Sequence, residues 1–115
     1  MNRTEYLLTC LAEECNEIAQ RASKAVRFGL DEIQEGQSLS NAQRITYEFR
    51  DLQAIMELLE DDGFLEKAVW TRDHEAIGKK KVKIKKWANH SMSRGILEEP
   101  NAIHTFSGRE SIGPT

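Results

Sequence analysis

The sequence is poor in the residues that brace small proteins: it has two cysteines, two prolines and only 7% aromatics in 115 residues. Cys10 and Cys15 neighbour one another on a single helical stretch but face different directions, so neither a disulfide nor a zinc site is suggested. Both are expected to be reduced packing residues. Few aromatics beside 30% charged residues fit a soluble helical protein and argue against a barrel or sandwich. No apolar run approaches the roughly 20 residues needed to span a bilayer. The stretch MNRTEYLLTCLAEE turns acidic where a secretory leader requires a long apolar segment, so the cytoplasm is the expected compartment. A net charge of −3 argues against a dedicated nucleic-acid binder and confines any such role to a local patch.

Three long helical segments can be read in what is present. The first runs from about Arg3 to Phe28, with Leu7, Leu11, Ile18, Ala22 and Ala25 at helical spacing and Gly29 as its stop. The stretch LDEIQEGQSLS, residues 30 to 40, reads as a loop. The second helix runs from about Asn41 to Glu60, capped by Ser40, with Ile45, Phe49, Leu52, Met56 and Leu59 on it and DDG at its end. FLEKAVW, residues 64 to 70, is compatible with a short helical piece. A third long segment follows from about Asp73 to Arg94, with Asp73 as N-cap and Gly95 as stop. Residues 1 to 97 are expected to form one all-α domain. Residues 98 to 115, which hold both prolines, read as an extended tail. A helical chain of this size gains much of its core by pairing with a copy of itself.

Acids interrupt the apolar faces. On a wheel of about 100° per residue with Leu7 at zero, Glu14 falls at about −20° in the middle of the apolar stripe, Glu17 at about −80° and Glu13 at about −120°. With Ile45 at zero, Glu48 falls at about −60° and Asp51 at about −120°, both within the apolar arc. Two consecutive helices thus each aim an i, i+3 acid pair at the core. Burying an isolated carboxylate costs several kcal/mol, on the order of magnitude found for ions in proteins, so the pairs require compensation. One form is a salt-bridge network with Lys24, Arg27, Arg44 or Arg50, or a helix rotated slightly from the drawn wheel so that the acids reach solvent. The other is a hard divalent cation, which takes oxygen ligands of this kind. For one acid alone the first is favoured. For two pairs converging on one cleft the cation is.

Glu13-Glu14-x-x-Glu17 followed by Glu48-x-x-Asp51 resembles the EExxE…ExxD signature of MazG-type all-α nucleoside triphosphate pyrophosphohydrolases, over roughly residues 4 to 60. The 30 residues between Glu17 and Glu48 make a long connection beside the site. The resemblance implies a MazG-like helical bundle whose four-helix core is completed by dimerisation, with tetramers built from two dimers also frequent. It implies Mg²⁺ or Mn²⁺ held by Glu14, Glu17, Glu48 and Asp51, with Glu13 as a water-orienting or supporting group in the catalytic set. The implied reaction turns a nucleoside triphosphate into the monophosphate and pyrophosphate. Small members are common in phages, which would place the chain in the host cytoplasm, and the MazZ branch, similar in size, prefers dGTP.

A triphosphate also needs cations and contacts to its base. Lys24 lies one heptad beyond Glu17 and Arg27 a turn later, and both are candidates for the phosphates or for salt bridges on their own helix. KKKVKIKKW, residues 79 to 87, carries six lysines, among them Lys79 and Lys83. Three readings stand for it: a solvated face, a phosphate clamp, or nucleic-acid contact. Asn16 and Gln20 flank the acids and could read a base edge. His74, His90 and His104 have no ligand spacing, and Trp70 and Trp87 are read first as core or interface residues. Two rival classes remain, an interaction protein built on an ion network and a small helical nucleic-acid binder built on the lysine run.

Overall fold

The computed structural model describes residues 1 to 67 and 73 to 100, which fall into two compact units. The first holds α1 (Arg3–Phe28) and α2 (Asn41–Asp61); the second holds α3 (His74–Ser93). Among the described residues there is no strand, only an isolated antiparallel bridge between Ile33 and Ser40. None of the helices is long and apolar enough to cross a membrane.

The helix ends follow from capping chemistry. Asn2 caps α1 through a reciprocal pair, its side chain accepting from the Glu5 N–H at 2.8 Å while its own N–H donates to Glu5 Oε1 at 3.1 Å. Ser40 and Gln43 make the same exchange at the start of α2, at 3.1 and 2.9 Å. Asp73 caps α3 by accepting from the Ala76 N–H. At the other end α2 and α3 stop alike: Gly63 and Gly95 take positive φ, so Phe64 N–H reaches back to Leu59 O and Ile96 N–H to Ser91 O, satisfying carbonyls the helix leaves open. Residues 64 to 67 of the expected short helical piece are not helical, whereas residues 68 to 70 lie outside the described residues, as do residues 101 to 115 of the expected tail.

α1 and α2 pack as an antiparallel hairpin tied at both ends. Arg3, at the start of α1, pairs with Asp62 just beyond α2. Asn41, at the start of α2, donates to Gly29 O just beyond α1 at 2.9 Å and to Glu32 Oε1 at 3.1 Å. The connection folds back on the first turn of α2 through Asn41 N–H to Glu32 O and Ala42 N–H to Leu30 O. The apolar core of this unit is small. Among the described residues Leu7 and Leu59 are its buried apolar residues, while Tyr6, Leu8, Phe28, Phe49 and Leu58 stand exposed. Arg21, Ser40, Asn41, Gln43 and Glu60 are buried polar or charged groups. On α3 no residue is buried; Ile77, Val82, Ile84 and Trp87 are exposed along with the lysines between them.

Candidate metal centre

The hairpin brings three of the expected acids together. Glu14 and Glu17 project one turn apart from α1 and meet Glu48 of α2, with one carboxylate oxygen from each lying within 4.8 Å of the others. Glu14 and Glu48 are half-buried and Glu17 is exposed, in keeping with Glu14's place at the centre of the apolar stripe. The Oε2 atom of Glu14 is buried and has no hydrogen-bond partner.

The electrostatics follow from that crowding. Burial, then a hydrogen bond with Glu17 and the charges of Glu17, Glu14 and Asp51, pushes the Glu48 carboxyl up to about 7. Burial also raises Glu14, with the charges of Glu17, Asp51 and Glu13 adding to the effect and a hydrogen bond with Glu48 opposing it. Crowded carboxyls cannot all ionise cheaply, so Glu48 keeps its proton toward neutral pH. A cation removes the conflict by the opposite route. All donors are carboxylate oxygens, the set that Mg²⁺ and Mn²⁺ prefer, and the orphaned Glu14 oxygen is a buried acceptor in want of a partner. The residues therefore fit a hard divalent cation.

The salt-bridge alternative does not materialise around these three. Among the described residues, none of Glu14, Glu17 and Glu48 forms an ion pair, and the one that does involve an acid of the motif joins Arg50 to Asp51 at 3.7 Å on the exposed surface. Asp51 thus stands outside the close cluster, although its charge is felt by both Glu14 and Glu48. Glu13 is exposed beside Glu14, and Asn16 is exposed on the same helix.

The expected phosphate contacts are each described within their own unit. Lys24 is half-buried, while Arg27 is exposed at the end of α1 with its guanidinium 5.0 Å from the centre of the Phe28 ring. Lys79 and Lys83 belong to the second unit, both exposed, and Lys79 pairs with Glu75 on its own helix at 3.3 Å. Sequence reasoning missed Arg21 and Gln34 and gave Arg44 only as a salt-bridge partner. The signal lay in spacing: Arg21 follows Glu17 by four residues and Arg44 precedes Glu48 by four, so each shares a helix face with an acid of the cluster.

No family model, curated protein or solved structure matches this chain.

Proposed function

We propose that the chain is a divalent-metal-dependent nucleoside triphosphate pyrophosphohydrolase of MazG type, releasing a nucleoside monophosphate and pyrophosphate. The observation that carries this reading is the convergence of one carboxylate oxygen each from Glu14, Glu17 and Glu48, beside which Glu14 Oε2 is buried without a hydrogen-bond partner and no ion pair among the described residues neutralises the three. A fold maintained only for packing has little use for three mutually repelling carboxyls, whereas a cation site requires them.

Glu14, Glu17 and Glu48 would hold Mg²⁺ or Mn²⁺, and Asp51, near enough to raise both half-buried acids, supplies a further carboxylate. When bound, such ions neutralise charge on a phosphoryl group and make a bound water acidic enough to yield hydroxide near neutral pH. Glu13, exposed beside Glu14, would orient that water or take its proton. No serine, cysteine or histidine nucleophile is required. Resemblance to the small phage branch favours a purine substrate such as dGTP and a cytoplasmic setting. Two hairpins pairing their exposed apolar side chains would complete a four-helix core, as a dimer or a tetramer of dimers.

The test is a chromatographic assay with ribo- and deoxyribonucleoside triphosphates, with and without Mg²⁺ or Mn²⁺, alongside Glu48→Gln. Monophosphate is expected only with metal, and its formation should fall by about two orders of magnitude or more in the variant. Triphosphates that survive intact in the presence of folded protein and metal would rule the activity out.

A further inference from the structure

Beside the acids lies a second, oppositely charged cluster. Arg21 of α1 is only 7% exposed although it carries a full charge, and Arg44 of α2 is half-buried. Both donate from Nη1 to a single atom, Gln34 Oε1 in the connecting loop, at 2.9 and 3.1 Å. Two guanidinium groups therefore face each other across one amide oxygen. Among the described residues neither forms an ion pair with a carboxylate. An amide oxygen carries a partial charge only, so the contact that joins the two arginines does not neutralise either of them.

The choice of acceptor is informative. A structural tie between loop and helices would be firmer with a carboxylate, and the loop has Glu32 and Glu35 on either side of Gln34. Glu32 instead accepts from Asn41. A neutral acceptor holds the loop without cancelling the charge of the arginines, which remain able to receive an anion.

Position gives the anion its identity. Arg21 lies one turn beyond Glu17, and Arg44 one turn before Glu48. Because the helices are antiparallel, both offsets run toward the loop end of the hairpin. The two arginines therefore leave their helices about one turn, roughly 6 Å along the helix axis, beyond the acids on the loop side. A linear phosphate chain has that reach, with one end at the acids and another at the guanidinium forks, whose planar donors match phosphate oxygens in pairs. We infer that Arg21 and Arg44 form a binding site for the phosphate chain of the substrate, and that Gln34 Oε1 occupies the place of a phosphate oxygen until the chain displaces it. This deepens the pyrophosphohydrolase reading and rests on it for the choice of ligand.

The experiment is calorimetric titration of the full chain with inorganic tripolyphosphate, in EDTA at low ionic strength. Thermal unfolding checks that each variant is folded. Wild type binds; Arg44→Gln and Arg21→Lys weaken binding by about tenfold or more; Gln34→Ala binds at least as tightly as wild type. The inference is overturned if wild type does not bind, if both arginine variants bind unchanged, or if Gln34→Ala loses as much affinity as they do, which would make the cluster a structural tie. Nucleotide hydrolysis separates this site from the reaction. Arginine-dependent binding of tripolyphosphate without hydrolysis of any triphosphate keeps the site and sinks the enzyme reading. Metal-dependent hydrolysis with an unchanged KM in Arg44→Gln does the reverse.

Discussion

Glu48 is where the chemistry of the acid cluster becomes measurable without a substrate. Its carboxyl titrates near 7 in the folded chain against about 4.5 for a free glutamate, so between those values the folded state binds more protons than the unfolded state. Stability contributed by this group is therefore complete below about pH 4.5 and is lost as pH rises through about 7. Replacing Glu48 by glutamine removes that loss. Relative to wild type in EDTA, Glu48→Gln is expected to gain on the order of 1 kcal/mol between pH 4.5 and pH 8, read from paired thermal melts. A constant difference across that range would place Glu48 in ordinary solvent. In the proposed cation site the same proton would compete with the ion: Mn²⁺ should then raise the melting temperature of wild type more at pH 8 than at pH 6, and hardly at all in Glu48→Gln. The place of these acids was legible in the sequence because a wheel needs only the helical repeat. It ordered Glu14, at mid-stripe, as more buried than Glu17 at the edge, which the fold bears out. A wheel carries no side-chain reach, however, and so did not separate Asp51, paired with Arg50 on the surface, from the three acids that meet.

The hairpin depends as an element on a few polar residues at its ends. Asn41 is fully buried and joins the end of α1, the loop and the start of α2 in one set of hydrogen bonds. Asn41→Ala is expected to cost about 1 to 3 kcal/mol in chemical denaturation, because it leaves the Gly29 carbonyl without that donor, against about 1 kcal/mol for Ser40→Ala, which removes a cap. Equal, negligible losses would mean that the loop is held elsewhere. Helix bounds were readable to within a residue or so, since Ser40, Asp73, Gly29 and Gly95 are terminal signals that act through their immediate neighbours. The loop was not. Gln34 belongs to a stretch without periodicity, and its two arginine partners are 13 and 10 residues away, a separation at which no local rule assigns contacts. The reciprocal cap of Asn2 and Glu5 obeys a local rule, but asparagine in the first position marks it less plainly than the serine of α2 does.

At the scale of the molecule, the proposed self-association rests on how little apolar surface the described residues of the first unit bury. Leu7 and Leu59 make its apolar core, while Phe49, Leu58, Tyr6 and Leu8 face outward, and a two-helix piece of this size rarely supplies more than about 3 to 5 kcal/mol by itself. Self-association is the expected remedy. Light scattering behind size exclusion should give at least twice the 13.2 kDa chain mass, and Phe49→Asp should shift the population toward monomer with a lower melting temperature. A wild-type monomer of undiminished stability would contradict that expectation. The central claim, however, concerns chemistry at the acid cluster. Its most direct measurement is phosphorus NMR of dGTP incubated with the protein and Mg²⁺. The account predicts the signals of dGMP and pyrophosphate growing together as those of the triphosphate decline, with no orthophosphate formed. Orthophosphate with dGDP, or a panel of nucleoside triphosphates left unchanged by folded protein, would contradict it.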